Sequence, residues 1–190
     1  MLENIVIKSE EEEKLRKELD EKKDSESERL KRFLNMPDLS RAQTGPLHEI
    51  VERTLKTSGL KGFDVIKIPE IVPTQVTFDL FNMPPGHPAR SKSDTYYVND
   101  DFILRTHDTV MWYYYLNHPD IKKRIENKDS LGVVCFGKVY RKDEIDRKHM
   151  NVFHQIGGLY LVPDSKKEVV PEDLKNVLSE IARSIFGDKV

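Results

Sequence analysis

The sequence predicts a protein of the α/β class, more closely α+β, in which a charged helical arm precedes one folded domain. Two observations support this prediction. Residues 9–32 are almost entirely charged or small and polar, whereas the remainder combines segments of helical apolar spacing with strand-like apolar runs. We therefore divide the 190 residues into an arm over 1–38 and a domain over 39–190.

Composition excludes several classes of protein. The chain has 31 Lys+Arg and 33 Asp+Glu, a formal net charge of −2, which argues against a general binder of polyanions. Its single cysteine excludes a disulfide framework, and its histidines lack the spacing of metal ligands, so we predict no metal site. No apolar run approaches the roughly 20 residues that span a bilayer, and the acidic N-terminus is no signal peptide, so we expect a cytoplasmic protein without a membrane partner.

The N-terminal arm is predicted to be a solvated helix. Leu15 and Leu19 are four residues apart and share one helical face, but two leucines cannot make a heptad seam. We expect this arm to be exposed and frayed around residues 24–27. The alternative is an arm that contacts RNA or a partner protein.

The domain is predicted to begin with a helix and a strand. Pro46 suits the first position of a helix, and apolar residues follow at helical spacing until Ser58-Gly59. Residues 63–69 alternate like a half-buried strand that ends at Pro69. The proline-rich segment 81–90 predicts an irregular loop.

The second half of the domain is predicted to contain a long hairpin. Residues 95–98 and 102–105 are predicted to be short strands, and Asp108 can cap a helix that runs through Leu116. Buried strand 132–141 and return strand 152–162 are joined by a loop of about ten residues, a length typical of functional loops. Apolar stripes and stop signals predict a last helix from Pro171 to Gly187.

The hairpin carries side chains that suit a nucleotide. Residues two apart on a strand share a face, so Phe153 and Gln155 point to one side. If Arg141 points to that side too, it can form a fork with a phosphate, Phe153 can stack on a base, and Gln155 can donate and accept. The alternative is an exposed, salt-bridged hairpin that binds nothing.

Several stretches of the sequence resemble the motifs of one enzyme family. Residues 139–144 (VYRKDE) with 153–155 (FHQ) resemble motif 2 of class II aminoacyl-tRNA synthetases, and most closely that of phenylalanyl-tRNA synthetase α subunits. Residues 62–70 resemble motif 1, segment 78–95 with its HPAR run resembles the following loop, and 104–107 (LRTH) resembles the strand before the pocket helix. The resemblance runs from about Arg41 to the final helix.

The resemblance implies a fold and a reaction. The fold would be a mixed, mainly antiparallel sheet flanked by helices. An amino acid and ATP would give an aminoacyl-adenylate and pyrophosphate, and the aminoacyl group would then pass to tRNA. ATP and Mg²⁺ would be the cofactors, a phenylalanine-like amino acid the substrate, and a homodimer or a heterotetramer with a β subunit the assembly.

The resemblance also implies roles for individual residues. Arg141 would be the catalytic residue, holding the α-phosphate and stabilising the charge of the in-line attack. The other implied ATP contacts are Phe153 stacked on adenine, Asp143 or Glu144 at the adenine amine, and His149 at a phosphate. The implied amino-acid-binding residues are His107, Asp108, Thr109, Gln155 and Gly157.

The sequence departs from the family pattern in four respects. The family has an acidic residue two places after the glutamine, for the substrate ammonium, where this chain has Gly157. Asp108-Thr109 replaces Thr-Ser, and we hypothesise that Asp108 supplies the missing charge, its alternative role being a helix cap. Tyr97 and Trp112 replace Trp and Gln, which predicts a reshaped side-chain pocket.

The fourth departure is that the chain ends before the family's motif 3. We therefore expect a truncated catalytic domain whose sheet has an unpaired edge. The alternative function is that of a fragment or synthetase-like paralogue, serving as a nucleotide-binding or dimerisation module without aminoacylation activity.

Overall fold

A computed structural model describes residues 4–189. In this part of the chain the elements are, in order, β1 (Ile5–Val6), α1 (Glu10–Glu21), α2 (Ser25–Asn35), α3 (Pro46–Leu55), β2 (Asp64–Lys67), β3 (Ile71–Pro73), α4 (Thr74–Thr77), β4 (Phe102–Leu104), α5 (Met111–Asn117), α6 (Pro119–Glu126), β5 (Leu131–Tyr140), β6 (Val152–Leu161) and α7 (Pro171–Phe186). A 3₁₀ turn over Asp108–Val110 precedes α5. The predicted α+β class is confirmed.

The main sheet is mixed and has four strands in the order β1-β2-β5-β6. β1 pairs with β2 in parallel, β2 pairs with β5 in parallel, and β5 pairs with β6 in an antiparallel ladder of ten residue pairs. β3 and β4 form a separate antiparallel pair. Within residues 4–189, no strand pairs with the outer side of β6, so this strand lies at one edge of the sheet.

Strand β5 is the centre of the core, and each of its residues is buried. Val134 and Phe136 pack on one side against Val51 of α3. On the other side Cys135 joins the cluster that contains Met111 of α5. Burial raises the pKa of the Cys135 thiol to about 11, as suits an inert buried cysteine. Because both faces of β5 are covered, this strand holds the β5/β6 hairpin in a fixed position.

The predicted solvated arm is wrong, because the arm is a packed helical hairpin. Leu15 and Leu19 of α1 and Leu30 of α2 are buried in one cluster with Leu104 of β4. Residues 24–27 are a capped turn rather than a frayed segment, since Asp24 accepts a hydrogen bond of 2.9 Å from the N–H of residue 27. Each helix has only a narrow apolar stripe. The two stripes must lie side by side to form an apolar surface wide enough to pack on the core.

Two predicted elements also need correction. Residues 95–98 form only an isolated bridge, between Tyr97 and Ile103, rather than a full strand. On either side of it the Leu104 N–H donates to the Tyr96 carbonyl and the Val98 N–H to the Phe102 carbonyl, each at 2.9 Å. Asp108 does not cap a helix: His107 precedes the 3₁₀ turn in an extended conformation, and α5 starts only at Met111. The last helix matches its prediction and ends at Gly187, whose φ of 74° suits glycine.

We expect the arm to contribute to global stability through the cap of α1. Ser9 Oγ accepts a hydrogen bond of 3.1 Å from the Glu12 N–H. Ser9→Ala should therefore lower the free energy of unfolding by about 1 kcal/mol, measured by urea titration with circular dichroism. The matched control is Ser25→Ala, at an exposed serine, with an expected change below about 0.5 kcal/mol. Equal stability of the two variants would show that the arm unfolds independently of the core.

Candidate active site

The open end of the β5/β6 hairpin brings the predicted nucleotide residues to one face. The register places Val139 opposite Phe153, Gly137 opposite Gln155, and residue 135 opposite Gly157. Residues directly opposite each other in an antiparallel pair share a face. The Arg141 N–H donates to the Asn151 carbonyl at 3.0 Å and extends this alternation past the end of β5. Arg141 thus points to the same side as Phe153 and Gln155, which is the condition that the nucleotide interpretation required.

Arg141 presents an available guanidinium group next to an aromatic ring. Its Cζ lies 5.3 Å from the ring centroid of Phe153, and its Nε donates to the Thr106 carbonyl at 3.2 Å. Among the described residues, Nη1 and Nη2 bind no acceptor. The side chain is exposed. One bond thus orients the group, while its outer N–H groups can form a fork with a phosphate.

Asp108 lies at the floor of the same face, next to β6. Its backbone N–H donates to Gln155 Oε1 at 3.1 Å, and only 8% of the residue is exposed. A methyl group at Gly157 would overlap with Asp108 Oδ2 and lie 2.9 Å from Cγ. Across residues 4–189, Oδ2 has no hydrogen-bond partner. The carboxylate therefore occupies the space above Gly157 with one oxygen unpaired.

Burial raises the pKa of the Asp108 carboxyl above its usual range. The amide groups of Asp108 and Thr109 and the positive charge of Arg105 act in the opposite direction but do not outweigh burial. A hydrogen-bond donor or a cation that binds to this carboxyl would therefore favour its ionised form further.

His107 stands beside this carboxyl as a neutral ring. Its Nδ1 shares a hydrogen bond with Thr109 Oγ1. Burial lowers the pKa of His107, the Thr77 backbone opposes that effect, and the charge of Arg141 adds to it. At neutral pH the imidazole can therefore donate or accept without adding charge to the site.

An aromatic wall adjoins His107, and sequence reasoning missed part of it. The ring of Phe81 packs edge-on against His107 at a centroid distance of 5.1 Å and is tilted against Trp112 at 5.8 Å. Trp112 is partly exposed and Tyr115 fully buried, so the aromatic helix serves both site and core. Phe81 starts the proline-rich loop, and the tendency of irregular loops to carry functional residues was the one available signal.

Three predicted ATP contacts stay on the exposed loop between β5 and β6. Asp143 and Glu144 are exposed. His149 is exposed and bonded through Nδ1 to Asp146 Oδ1 at 2.9 Å, and this hydrogen bond raises its pKa. The structure therefore does not gather these three side chains at the floor of the site, and their roles remain predictions.

His154 lies on the opposite face of β6, as its position in the alternation predicts. Its Nε2 accepts from the Leu39 N–H at 3.0 Å and lies 3.3 Å from Asp38 Oδ1. The part of the motif that resembles synthetases thus has two uses. Phe153 and Gln155 face the site, while His154 ties β6 to the segment that follows the arm.

The described residues show neither a metal-binding cluster nor a membrane-spanning helix. Among them, no group of three or more His, Cys, Asp or Glu side chains is placed to hold a metal ion. None of their helices combines the length and the apolar character needed to cross a bilayer.

Comparisons with known proteins show the family of the chain. The family description "tRNA synthetases class II core domain (F)" matches residues 32–190. The chain is 35% identical over 143 residues to the phenylalanine–tRNA ligase alpha subunit of Thermotoga petrophila, covering 75% of this chain and 40% of that protein. It is 33% identical over 144 residues to the corresponding subunit of Fusobacterium nucleatum, covering 76% of this chain and 39% of that protein. The chain thus spans about 40% of the length of these curated relatives.

The fold recurs in a solved synthetase. PylSc, a pyrrolysyl tRNA synthetase of Desulfitobacterium hafniense, aligns with a TM-score of 0.55 over 96% of this chain and 69% of that chain. At 17% identity this likeness supports the fold alone. Because the family match extends over most of the sequence, the chain belongs to the class II tRNA synthetase core domain family.

Proposed function

We propose that this chain is the catalytic part of an aminoacyl-tRNA synthetase of the phenylalanine–tRNA ligase alpha type, which activates an amino acid with ATP and transfers it to tRNA. The observation that carries the proposal is the placement of Arg141 and Phe153 on one hairpin face, 5.3 Å from guanidinium carbon to ring centroid. ATP combines a phosphate chain with a flat base, and this pair of side chains suits both parts.

The residues of this face fit ATP. The outer N–H groups of Arg141 would bind the α-phosphate, and Phe153 would stack on adenine. Asp143, Glu144 and His149 would join from the loop, which is exposed and close to the Arg141 end of the hairpin. Mg²⁺ binds proteins through one or two carboxylates together with substrate phosphates, and when bound it would shield the phosphate charge.

The reaction requires no covalent bond to the protein. The amino acid carboxylate attacks the α-phosphorus, the new oxygen–phosphorus bond forms as the bond to pyrophosphate breaks, and pyrophosphate leaves with its electron pair. Arg141 would stabilise the negative charge that develops on the α-phosphate oxygens. The rest of the catalysis is positioning, since the hairpin face holds both reactants side by side.

The amino acid would lie on the floor of the face. Gln155, His107 and Thr109 would bind its polar end, together with Asp108 above Gly157. The aromatic wall of Phe81 and Trp112 suits an apolar side chain, which supports a phenylalanine-like substrate. The two relatives named above are alpha subunits, so we further propose a cytoplasmic assembly with a β subunit in a heterotetramer, or else a homodimer.

The test is amino-acid-dependent pyrophosphate exchange into ATP. The full protein, with any subunit that copurifies with it, is assayed with Mg²⁺ and each of the standard amino acids in turn. We expect exchange with an aromatic amino acid. ATP binding without exchange for any amino acid would overturn the proposal and favour the nucleotide-binding module instead.

A further inference from the structure

We propose that Asp108 Oδ2 binds the ammonium group of the substrate, and that position 157 is glycine because the Asp108 carboxylate fills the space of its side chain. This inference rests on the proposed function and deepens it. It names the part of the substrate that the floor recognises, a primary ammonium group, and the atom that recognises it.

Asp108 Oδ2 is a buried acceptor that is unpaired within residues 4–189. Asp108 is 92% buried, and nothing within the described chain donates to Oδ2. A buried acceptor without a partner costs about 1–3 kcal/mol, and more when it is charged. Such a group persists at a site where a ligand supplies the missing donor.

No helix cap in the described residues uses the Asp108 carboxylate. The 3₁₀ turn and α5 have their caps at His107 and Val110, neither of which involves the Asp108 side chain. The neighbouring cation, Arg105, is bound elsewhere, through Nε to the Lys138 carbonyl at 2.7 Å and through Nη1 to the Ile68 carbonyl at 3.2 Å. Among residues 4–189, no cation forms an ion pair with the carboxylate, so a cationic ligand can take that place.

Position 157 requires glycine for a steric reason and not because of its backbone conformation. This glycine lies in regular strand β6 and is not among the residues of positive φ, so the backbone does not require glycine there. What requires it is the Asp108 carboxylate, which a Cβ at Gly157 would overlap. Positions 108 and 157 thus share one space, and only one of them can hold a carboxylate in it.

An α-amino acid supplies what this space lacks. Its ammonium group brings three N–H donors and a positive charge. Gln155 accepts from the Asp108 N–H through Oε1, and its amide NH₂ has no acceptor within the described chain, so it is available to the same ligand. A substrate without the amine would leave Oδ2 unpaired.

The test uses wild-type exchange activity as its reference. Asp108→Asn keeps the shape and removes the charge, so the KM for the amino acid should rise at least about tenfold while the KM for ATP stays unchanged. Asp101→Asn, at an exposed turn residue, is the matched control and should change neither. The Asn variant should be no less stable to heat than wild type, whereas a purely structural aspartate would lose stability.

Two variants that move the carboxylate from position 108 to position 157 distinguish the loss of an ammonium contact from a folding defect. Asp108→Ser should lose amino acid affinity, and adding Gly157→Asp should recover at least about tenfold of it, since the carboxylate returns to the shared space. If the wild type shows no exchange, the proposed function fails. If it shows exchange but the KM of Asp108→Asn for the amino acid is unchanged, or the double variant recovers nothing, the inference is overturned.

Discussion

Replacing Arg141 by glutamine is expected to lower the rate of amino-acid-dependent pyrophosphate exchange by about 10²–10³-fold. A donor that meets charge developing in the transition state is worth about 2.7–4 kcal/mol in the sites where such donors have been removed. Arg141 is suited to that role because its Nε is anchored on the Thr106 carbonyl while its outer N–H groups face solvent. The loss should fall on kcat rather than on the KM for the amino acid.

Folding should be little affected by this change, since Arg141 is exposed and makes one side-chain hydrogen bond of 3.2 Å. Arg141→Lys should give an intermediate rate, because lysine keeps the charge but not the planar fork. Arg183→Gln, on the exposed side of α7, is the matched control and should exchange at the wild-type rate. Equal rates for the two glutamine variants would remove Arg141 from the reaction.

The side chains that share the hairpin face could be predicted from the sequence, because the alternation of side chains along a strand is a local property. Once β5 and β6 were located by their apolar runs, the side on which Phe153 and Gln155 point followed from a period of two, and the register that brought Arg141 to them agreed. The last helix was equally predictable, since Pro171 and Gly187 mark its ends in the sequence itself.

The buried arm could not be predicted, because its burial depends on contacts between distant segments. α1 contributes Leu15 and Leu19, and their apolar face is too narrow to predict a core by itself. The contact of both helices with Leu104 joins segments far apart in the sequence, so no local pattern predicts it. The contact of Asp108 with Gly157 is of the same kind: the sequence suggested an exchange of charge between the two positions, but only the geometry shows that they share a space.

A buried ionic network joins the arm to the hairpin. Glu70 Oε1 lies 3.1 Å from Lys138 Nζ and accepts a hydrogen bond of 2.9 Å from the Tyr140 hydroxyl, and Oε2 lies 2.8 Å from Arg16 Nη2 of α1. Lys138 is 3% exposed, and its Nζ also donates to three carbonyls at the end of α2, the nearest being that of Met36 at 2.7 Å. Burial and the Glu70 charge raise the pKa of Tyr140 far above its usual range, so it acts as a neutral donor.

We expect Glu70→Gln to lower the free energy of unfolding by about 3–5 kcal/mol, measured by urea titration at neutral pH. The substitution preserves shape but leaves the Lys138 ammonium buried without a carboxylate, and removal of one partner of a buried ion pair is far more costly than removal of the whole pair. The Arg16 contact that holds α1 to the domain is lost at the same time.

Glu52→Gln is the matched control, because Glu52 pairs at 3.0 Å with Lys56, whose side chain is 73% exposed. Solvent screens that pair, so the expected loss is below about 0.5 kcal/mol. A cooperative transition that shifts only in Glu70→Gln would show that the arm and the hairpin unfold together, with the carboxylate as their common link. Equal, small losses in both variants would instead mean that the three carbonyls alone stabilise Lys138, and that α1 is held only by its leucines.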